Sequence, residues 1–149
     1  MSTLADPNAL ASCCNRIARL EPNLTPKWGR MTAHQTICHL NDSFRVGTGE
    51  KFASAHTNLF MRTVGKWIAL RSSMSWPRDV ATRPEVEQGK GGTPPSDWER
   101  DRAELLETML SFPKEKEFAA HPIFGHMSRR DWLAWGYRHV DHHLRQFGV

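Results

Sequence analysis

Three polar patterns in this sequence mark points at which an α-helix begins, and they constrain the fold more than any other feature. In each pattern a serine or threonine is followed three residues later by Gln, Glu or Asp, which is the spacing of a capping box. The three pairs are Thr32 with Gln35, Ser96 with Glu99, and Ser128 with Asp131. Apolar residues at helical spacing follow each pair, and no stretch alternates apolar and polar residues as a strand does. The patterns therefore predict an all-α protein.

Composition and periodicity place five helices in the chain. Leu, Met and Ala far outnumber the β-branched Val and Ile, which favours helices over strands. The predicted helices cover about residues 8–20, 33–47, 56–71, 96–111 and 128–146. A Pro- and Gly-rich crossover of about two dozen residues joins the third helix to the fourth, and connections of that length are often functional. We predict a single helical-bundle domain, residues 1–149, with the crossover lying over one end of the bundle.

Charge and hydropathy exclude several classes of protein. The net charge is +4, but the basic residues are scattered, so the sequence predicts no nucleic-acid partner and instead suits steering of a small anionic substrate. The most apolar stretch, residues 59–70, is interrupted by Arg62 and Lys66 and predicts no membrane span. The N-terminus shows no secretory pattern, and the 3 cysteines do not form a disulfide framework. We therefore predict a cytoplasmic protein with free thiols.

The last predicted helix carries the most specific chemical pattern, HVDHHLRQFG. His139 and His143 project only about 40° apart, on the stripe that also holds Trp132 and Phe147, so both rings are predicted to face the core. Two imidazoles four residues apart offer two nitrogens to one metal ion. The alternative is that these histidines interact with the dipole at the C-terminus of the helix. Gly136, one turn earlier, leaves room above the pair.

The sequence pattern alone does not choose a third ligand. His34 and His39 share the second predicted helix but project about 140° apart, so they cannot both face one ion. Periodicity places His39 on the flank of the buried stripe and slightly favours His34. The stripe consists of Ala33, Ile37, Leu40 and Phe44.

Long stretches of this chain resemble the DinB/YfiT-like superfamily of metalloenzymes. The resemblance rests on WGRMTAHQTICHLND (residues 28–42), HPIFG (residues 121–125) and YRHVDHHLRQFG (residues 137–148). Within that superfamily the chain is most similar to an uncharacterised subfamily that ends in HHLRQFG. The crossover matches only in its Trp76–Pro77 and its Pro/Gly content.

The resemblance implies a fold and a set of metal ligands. The fold is a four-helix bundle with long connections and an additional short helix. The ligands are one histidine in the HL of the second helix, which is His39, and the H-x-x-x-H pair of the last helix, which is His139 and His143. Three imidazoles suit a divalent transition metal such as Zn, Ni or Fe. Related bundles often pair, so a homodimer is a further expectation.

Other residues near the implied ligands have two interpretations each. Gln35, one turn before His39, and Gln146, beside the pair, either orient a ligand or substrate or belong to the ordinary helix surface. His142 projects about 60° from His139 and is either a donor to the ligands or a surface residue. His121, in HPIFG, either lines the mouth of a cavity or belongs to a packed turn.

Two functions from different classes follow. The first is a metal-dependent enzyme acting on a small molecule, either as a transferase that uses a low-molecular-weight thiol or as a hydrolase, because three protein ligands leave a position open for substrate. The second is a non-catalytic protein of a stress response that binds a metal or a ligand. It gains weight because no carboxylate, serine or cysteine has a clear catalytic setting. Cys38, next to His39, is interpreted as a small buried thiol.

Overall fold

The structure is a computed structural model that describes residues 2–78 and 80–149. It is all-α, with no strand among the described residues, which confirms the predicted fold class. The helices are α1 (Pro7–Ala18), α2 (Ala33–Thr48), α3 (Lys66–Arg71), α4 (Trp98–Ser111) and α5 (Arg129–Phe147). A π-helical turn, Met61–Gly65, leads directly into α3, and short 3-10 turns occupy Pro84–Val86 and Phe112–Lys114.

The capping patterns fix two helix starts as predicted and shift the third by one residue. Thr32 and Ser128 each form a complete capping box, with Gln35 and Asp131 respectively. At α4 the cap is Asp97, whose side chain accepts a hydrogen bond from the backbone N–H of Arg100. Asp97 takes this place because the Ser96 hydroxyl is engaged elsewhere, 3.1 Å from a carboxylate oxygen of Asp101 on the first turn of α4.

The four long helices pack around one apolar core. Helix α1 contacts α4 and α5, and α2 contacts the same two helices, so the contacts form a closed cycle. Fully burying a large apolar side chain contributes about 1.5–3 kcal/mol, which makes this core the main source of stability. Its largest side chains include Ile17, Ile37, Leu40, Phe44, Leu105, Met109, Phe112, Trp132 and Leu133.

The room that the sequence predicted above the histidine pair is filled by other side chains. A Cβ added at Gly136 would lie 2.7 Å from Cδ1 of Leu4 and 3.0 Å from Cε1 of Phe44. Leu4 is buried there, and its backbone N–H donates to the carbonyl of Leu133. The glycine therefore allows the N-terminal segment and α2 to approach α5, and it does not provide space for a ligand.

The third predicted helix differs most from the prediction. The sequence predicts this helix over residues 56–71, but residues 52–58 are not helical. The predicted apolar stripe of Phe60, Val64 and Trp67 is 58%, 50% and 63% exposed. A π turn closes its hydrogen bonds five residues apart instead of four, so a spacing of 3.6 residues does not group its side chains correctly. Leu70 is the one side chain of α3 that is fully buried.

The crossover is predicted to lie over one end of the bundle, but its residues 84–93 lie along the side of α2 and are attached to it. The fully buried carboxylate of Asp42 accepts from the backbone N–H and the hydroxyl of Thr93, both at 2.7 Å, and from Nζ of Lys51 at 3.0 Å. The crossover thereby covers a face of α2 that would otherwise meet solvent. None of the helices in the described part of the chain has the length and apolar character that a membrane crossing requires.

Candidate metal centre

Three imidazole rings meet between α2 and α5. Nε2 of His139 lies 3.4 Å from Nε2 of His39 and 3.1 Å from Nε2 of His143. One ligand atom from each of the three lies within 4.8 Å of the other two. The structure therefore brings together the three side chains that the resemblance implied as ligands.

The position of His39 corrects the prediction from periodicity, which placed it on the flank of α2. The side chain is only 5% exposed. Helix α2 is buried over most of its circumference, because the crossover covers the side that a two-layer packing would leave open. His34, which periodicity slightly favoured, lies in a different cluster, with its Nε2 2.8 Å from a carboxylate oxygen of Asp101.

Hydrogen bonds at the outer nitrogens orient two of the rings. Nδ1 of His39 lies 3.1 Å from the carbonyl oxygen of Val86 in the crossover, and Nδ1 of His143 lies 2.7 Å from Oε1 of Gln146. Both partners are acceptors only, so each Nδ1 carries the proton and donates it. The neutral ring then has its lone pair on Nε2, directed at the point where the rings meet. Such outer bonds are the usual way in which proteins fix the orientation of histidine ligands.

The third ring, His139, lacks such an outer partner. Its Nδ1 is buried and makes no hydrogen bond to the described residues. The ring is held by aromatic packing instead, with its centroid 4.6 Å from that of Trp135 and 5.9 Å from that of Trp76. The sequence did not predict that Trp76 contacts a ligand ring, although Trp76–Pro77 is one of the two features of the crossover that match the family resemblance.

The electrostatics of the cluster favour neutral rings and a bound cation. Burial, the largest cause, lowers the pKa of His39, His139 and His143 below the ordinary value for histidine, and for His139 and His143 the other rings lower it further. The rings are therefore neutral at neutral pH. A proton on Nε2 of His139 can be donated to only one of the two facing lone pairs, on His39 or on His143, so one of them stays unpartnered. A cation between the rings would instead be attracted by all three.

The spacing of the nitrogens suits a transition metal ion. Zinc–nitrogen bonds of about 2.0–2.1 Å in a tetrahedral arrangement place two nitrogen ligands about 3.3 Å apart. The two measured Nε2–Nε2 distances, 3.1 and 3.4 Å, lie on either side of that value. With three protein ligands, a tetrahedral ion would keep one position for water or substrate.

Gln146 links the cluster to the loop before α2. Its Oε1 accepts from His143, its Nε2 donates to the carbonyl of Trp28 at 3.4 Å, and its own carbonyl accepts from the backbone N–H of Lys27. Gly29 has a φ of 82°, and a Cβ there would lie 2.7 Å from Nε2 of Gln146. This close approach explains why a glycine follows Trp28.

Two other residues that the sequence analysis considered, His142 and Gln35, lie in different places: His142 is beside the three rings and Gln35 is at the start of α2. His142 is half-buried beside the cluster, with its ring centroid 5.3 Å from that of His143. Gln35 completes the capping box of α2, where its Oε1 accepts from the backbone N–H of Thr32 at 3.0 Å. The side-chain oxygen of Gln35 is thus engaged at the start of the helix and not at His39.

His121 belongs to a packed turn. Its Nδ1 accepts from the backbone N–H groups of Ile123 and Phe124 at 3.1 and 3.2 Å, and its backbone pairs with that of Gly125. Burial lowers the pKa of His121 to about 3, so the ring is neutral. Its ring lies against Trp135, which in turn contacts His139, so His121 supports the wall behind the cluster.

A second group of possible ligand atoms, His34, Cys38 and Asp101, has a structural explanation. The carboxylate of Asp101 already accepts from His34 and from both the backbone N–H and the hydroxyl of Ser96. Burial and the nearby Asp101 raise the pKa of the Cys38 thiol to about 12, so Cys38 carries its proton at neutral pH. This group joins α2 to α4 through hydrogen bonds that are satisfied without an ion. Cys38 and the other two cysteines are free thiols.

Comparison with known proteins identifies a family whose function is unknown. Residues 5–148 match the model of a family described as a protein of unknown function, DUF1569. No curated protein and no solved structure matches the chain.

Proposed function

Because the chain belongs to the DUF1569 family, whose function is unknown, we propose a function from the chemistry of the site itself. The protein binds one divalent transition metal ion through Nε2 of His39, His139 and His143, and it acts as a metal-dependent enzyme on a small molecule. The observation that carries the proposal is the convergence of three Nε2 atoms, two of which are oriented by hydrogen bonds at Nδ1.

We further propose that the protein shares the four-helix bundle of the DinB/YfiT-like superfamily. The closed cycle of contacts among α1, α2, α4 and α5 supports this architecture, with α3 as the additional short helix. Activities known in that superfamily favour two reaction classes, transfer from a low-molecular-weight thiol and hydrolysis. When bound, a divalent ion would supply Lewis acidity and lower the pKa of a coordinated thiol or water.

Residues of the chain itself would orient the ligand rings, pack around the site and accept a proton. Gln146 and the carbonyl of Val86 hold two ligand rings in place before any substrate arrives, which lowers the cost of organising the site. Trp76 and Trp135 pack against the ring of His139 and would limit the access of water to it. His142 is a further titratable side chain beside the cluster, and because burial lowers its pKa it is neutral and able to accept a proton at a ring nitrogen.

One observation favours a non-catalytic function as the second candidate. Among the described residues, the group of possible ligands at this site contains three histidines and no carboxylate or thiol. Many metalloenzymes place a carboxylate beside the ion as a general base. A protein that only binds a metal or a ligand needs no such group.

The experiment that tests metal binding is elemental analysis of purified wild-type protein beside a His139→Ala/His143→Ala variant. We expect about one equivalent of metal per wild-type chain and none in the double variant, because two of three ligands are lost. His34→Ala is the matched control, since it removes a histidine from the same fold outside the cluster, and it should retain the metal. Equal metal content in wild type and double variant would contradict the proposal.

A second experiment separates the enzyme from the binding protein. Zinc-, nickel- and iron-loaded protein is assayed with thiols plus electrophiles and with a panel of esters, each beside chelator-treated protein. Turnover that depends on metal and is lost in the double variant supports the enzyme. Stoichiometric metal with no turnover in any assay favours the non-catalytic alternative. A cobalt-loaded sample whose absorption spectrum indicates four protein ligands, with no exchangeable position, would favour it as well.

A further inference from the structure

A cavity of about 300 Å³ lies beside the histidine cluster, between the crossover and α5. That volume is at the lower end of the range for sites that hold small molecules. Its walls combine two indoles, Trp28 and Trp76, with Tyr137, His142 and several arginines. The cavity therefore offers apolar surface for the body of a ligand and positive charge for a negatively charged group.

The cavity shares walls with the proposed metal site. The indoles of Trp28 and Trp76 lie 6.2 and 6.1 Å from the ring of His142, measured between centroids. The same Trp76 ring is 5.9 Å from His139, and the His142 ring is 5.3 Å from His143. The side chains of Trp76 and His142 thus line the cavity on one side and contact the ligand rings on the other.

Two of the three arginines in the cavity wall are already engaged. Arg138 donates to the backbone carbonyls of Ser72 and Met74, which ties the start of the crossover to α5. Arg145 pairs with Asp141 at 2.8 Å, and the same carboxylate binds Arg16. The charge of Arg145 is therefore balanced by a carboxylate, and the N–H donors of Arg138 are occupied by backbone carbonyls.

Arg78 is the third arginine, and no carboxylate of the described residues pairs with it. Its guanidinium carbon lies 4.3 Å from the centre of the Trp28 ring, in a cation–π arrangement. A cation–π contact does not itself occupy the N–H donors of the guanidinium, which can bind a carboxylate or phosphate. The indole thus holds Arg78 in position, which reduces the cost of ordering it when an anion binds.

We infer that this cavity binds a small organic anion, with Arg78 holding the carboxylate or phosphate group and Trp28 and Trp76 contacting an apolar body. The inference rests on the proposed function in one respect, since it identifies the occupant as the substrate of the adjacent metal site. The overall charge of +4 favours the approach of such a molecule.

The test is calorimetric titration of zinc-loaded protein with benzoate, phenyl phosphate and the neutral benzamide. We expect at least one anion to bind about tenfold or more tightly than benzamide, because only an anion gains charge-assisted hydrogen bonds from Arg78. The two anions distinguish a carboxylate substrate from a phosphate ester. In Arg78→Gln, affinity for the preferred anion should fall about tenfold or more. Arg130→Gln, an exposed arginine outside the cavity, should bind as wild type does.

The same titrations on His139→Ala/His143→Ala keep this inference distinct from the metal proposal. Anion binding that survives in the double variant and is lost in Arg78→Gln supports the cavity, whatever the metal analysis gives. Anion binding lost in the double variant but retained in Arg78→Gln would show that the anion binds at the metal, and it would overturn the inference. Wild-type protein that binds neither anion, or binds benzamide equally well, would overturn it too.

Discussion

At the scale of single residues, the orientation of His143 depends on the side chain of Gln146, which is not itself one of the three proposed metal ligands. Gln146 is 7% exposed and is held at both ends, by Nδ1 of His143 and by the loop at Trp28. A ligand ring that keeps its orientation before metal binds loses less entropy on binding. We therefore expect substitutions at positions outside the three histidines to change the metal affinity.

Replacing Gln146→Leu should lower zinc affinity about 10–100-fold, because His143 loses the acceptor that fixes its tautomer and its ring angle. The measurement is competition for zinc against a chromophoric chelator. Gln35→Leu is the matched control, since the oxygen of Gln35 serves the cap of α2. It should reduce stability by about 0.5–1 kcal/mol and leave zinc affinity unchanged. Equal zinc affinity for Gln146→Leu and wild type would refute the positioning role.

Gly29→Ala should weaken zinc binding as well as stability. Alanine at a φ of 82° costs about 1–3 kcal/mol, and its Cβ would also displace the amide of Gln146. Gly89→Ala provides the control, because Gly89 has a φ of 84° but nothing within 4 Å of the added Cβ. Chemical denaturation should show a loss of stability for both variants. Chelator competition should show weaker zinc binding for Gly29→Ala alone, and the same zinc affinity in both would contradict the contact with Gln146.

At the scale of elements, the crossover completes the site by supplying a backbone carbonyl and an indole to rings on two helices. It is fastened to α2 by Asp42, a fully buried carboxylate that accepts three hydrogen bonds from Thr93 and Lys51. A buried charge that loses a donor is destabilised more than an exposed one. The attachment of Thr93 to Asp42 should therefore control how firmly residues 84–93 cover the site.

Thr93→Val removes one donor to Asp42 while keeping the shape of the side chain, and it should cost about 1–2 kcal/mol of stability. Thr63→Val is the matched control, because its hydroxyl bonds the carbonyl of Leu59 in its own helical segment on the surface. That change should stay within about 0.5 kcal/mol. Denaturant unfolding measures both, and hydrogen exchange should be faster at residues 84–93 in Thr93→Val only. Equal losses in the two variants would contradict a special role for this attachment.

At the scale of the whole molecule, the protein buries three neutral histidines, His39, His121 and His143, and half-buries a fourth, His139. Burial lowers the pKa of each below the value of about 6.5 that histidine has in an unfolded chain. Below that pH the unfolded state binds more protons than the folded state, so stability falls as pH falls. This stability is fully present above about pH 6.5 and is lost progressively on acidification.

The free energy of unfolding of metal-free protein should therefore decrease between pH 7 and pH 5.5, a range above the titration of most carboxyl groups. Each buried histidine contributes a slope of up to about 1.4 kcal/mol per pH unit. In His121→Phe the slope should be smaller by one histidine's share, because the pKa of His121 is about 3 in the folded protein. Denaturation in chelator at several pH values measures the slopes, with the exposed His126→Gln as control. A stability independent of pH in this range would contradict the burial of neutral rings.

The sequence by itself determined the features that depend on residues close together in the chain. Capping pairs at Thr32 and Ser128 and helical spacing located α2 and α5 nearly to the residue. The side-by-side placement of His139 and His143 follows from the rotation of an α-helix, which is a local property. Local rules failed at residues 56–71, where a π turn changes the spacing on which the prediction relied.

Local sequence patterns did not decide which further residues join that pair: the family resemblance implied His39, and the tertiary structure brings it to the pair together with residues of the crossover. His39 and His139 are 100 positions apart, and periodicity on α2 favoured His34 because it counts apolar residues and ignores what covers the opposite side. The crossover covers that side, and no sequence pattern marks the Val86 carbonyl or Arg78 as a partner, while the Trp76–Pro77 match does not say which residue Trp76 contacts. Packing between distant segments is set by the shape of the whole core, which no window of neighbouring residues contains.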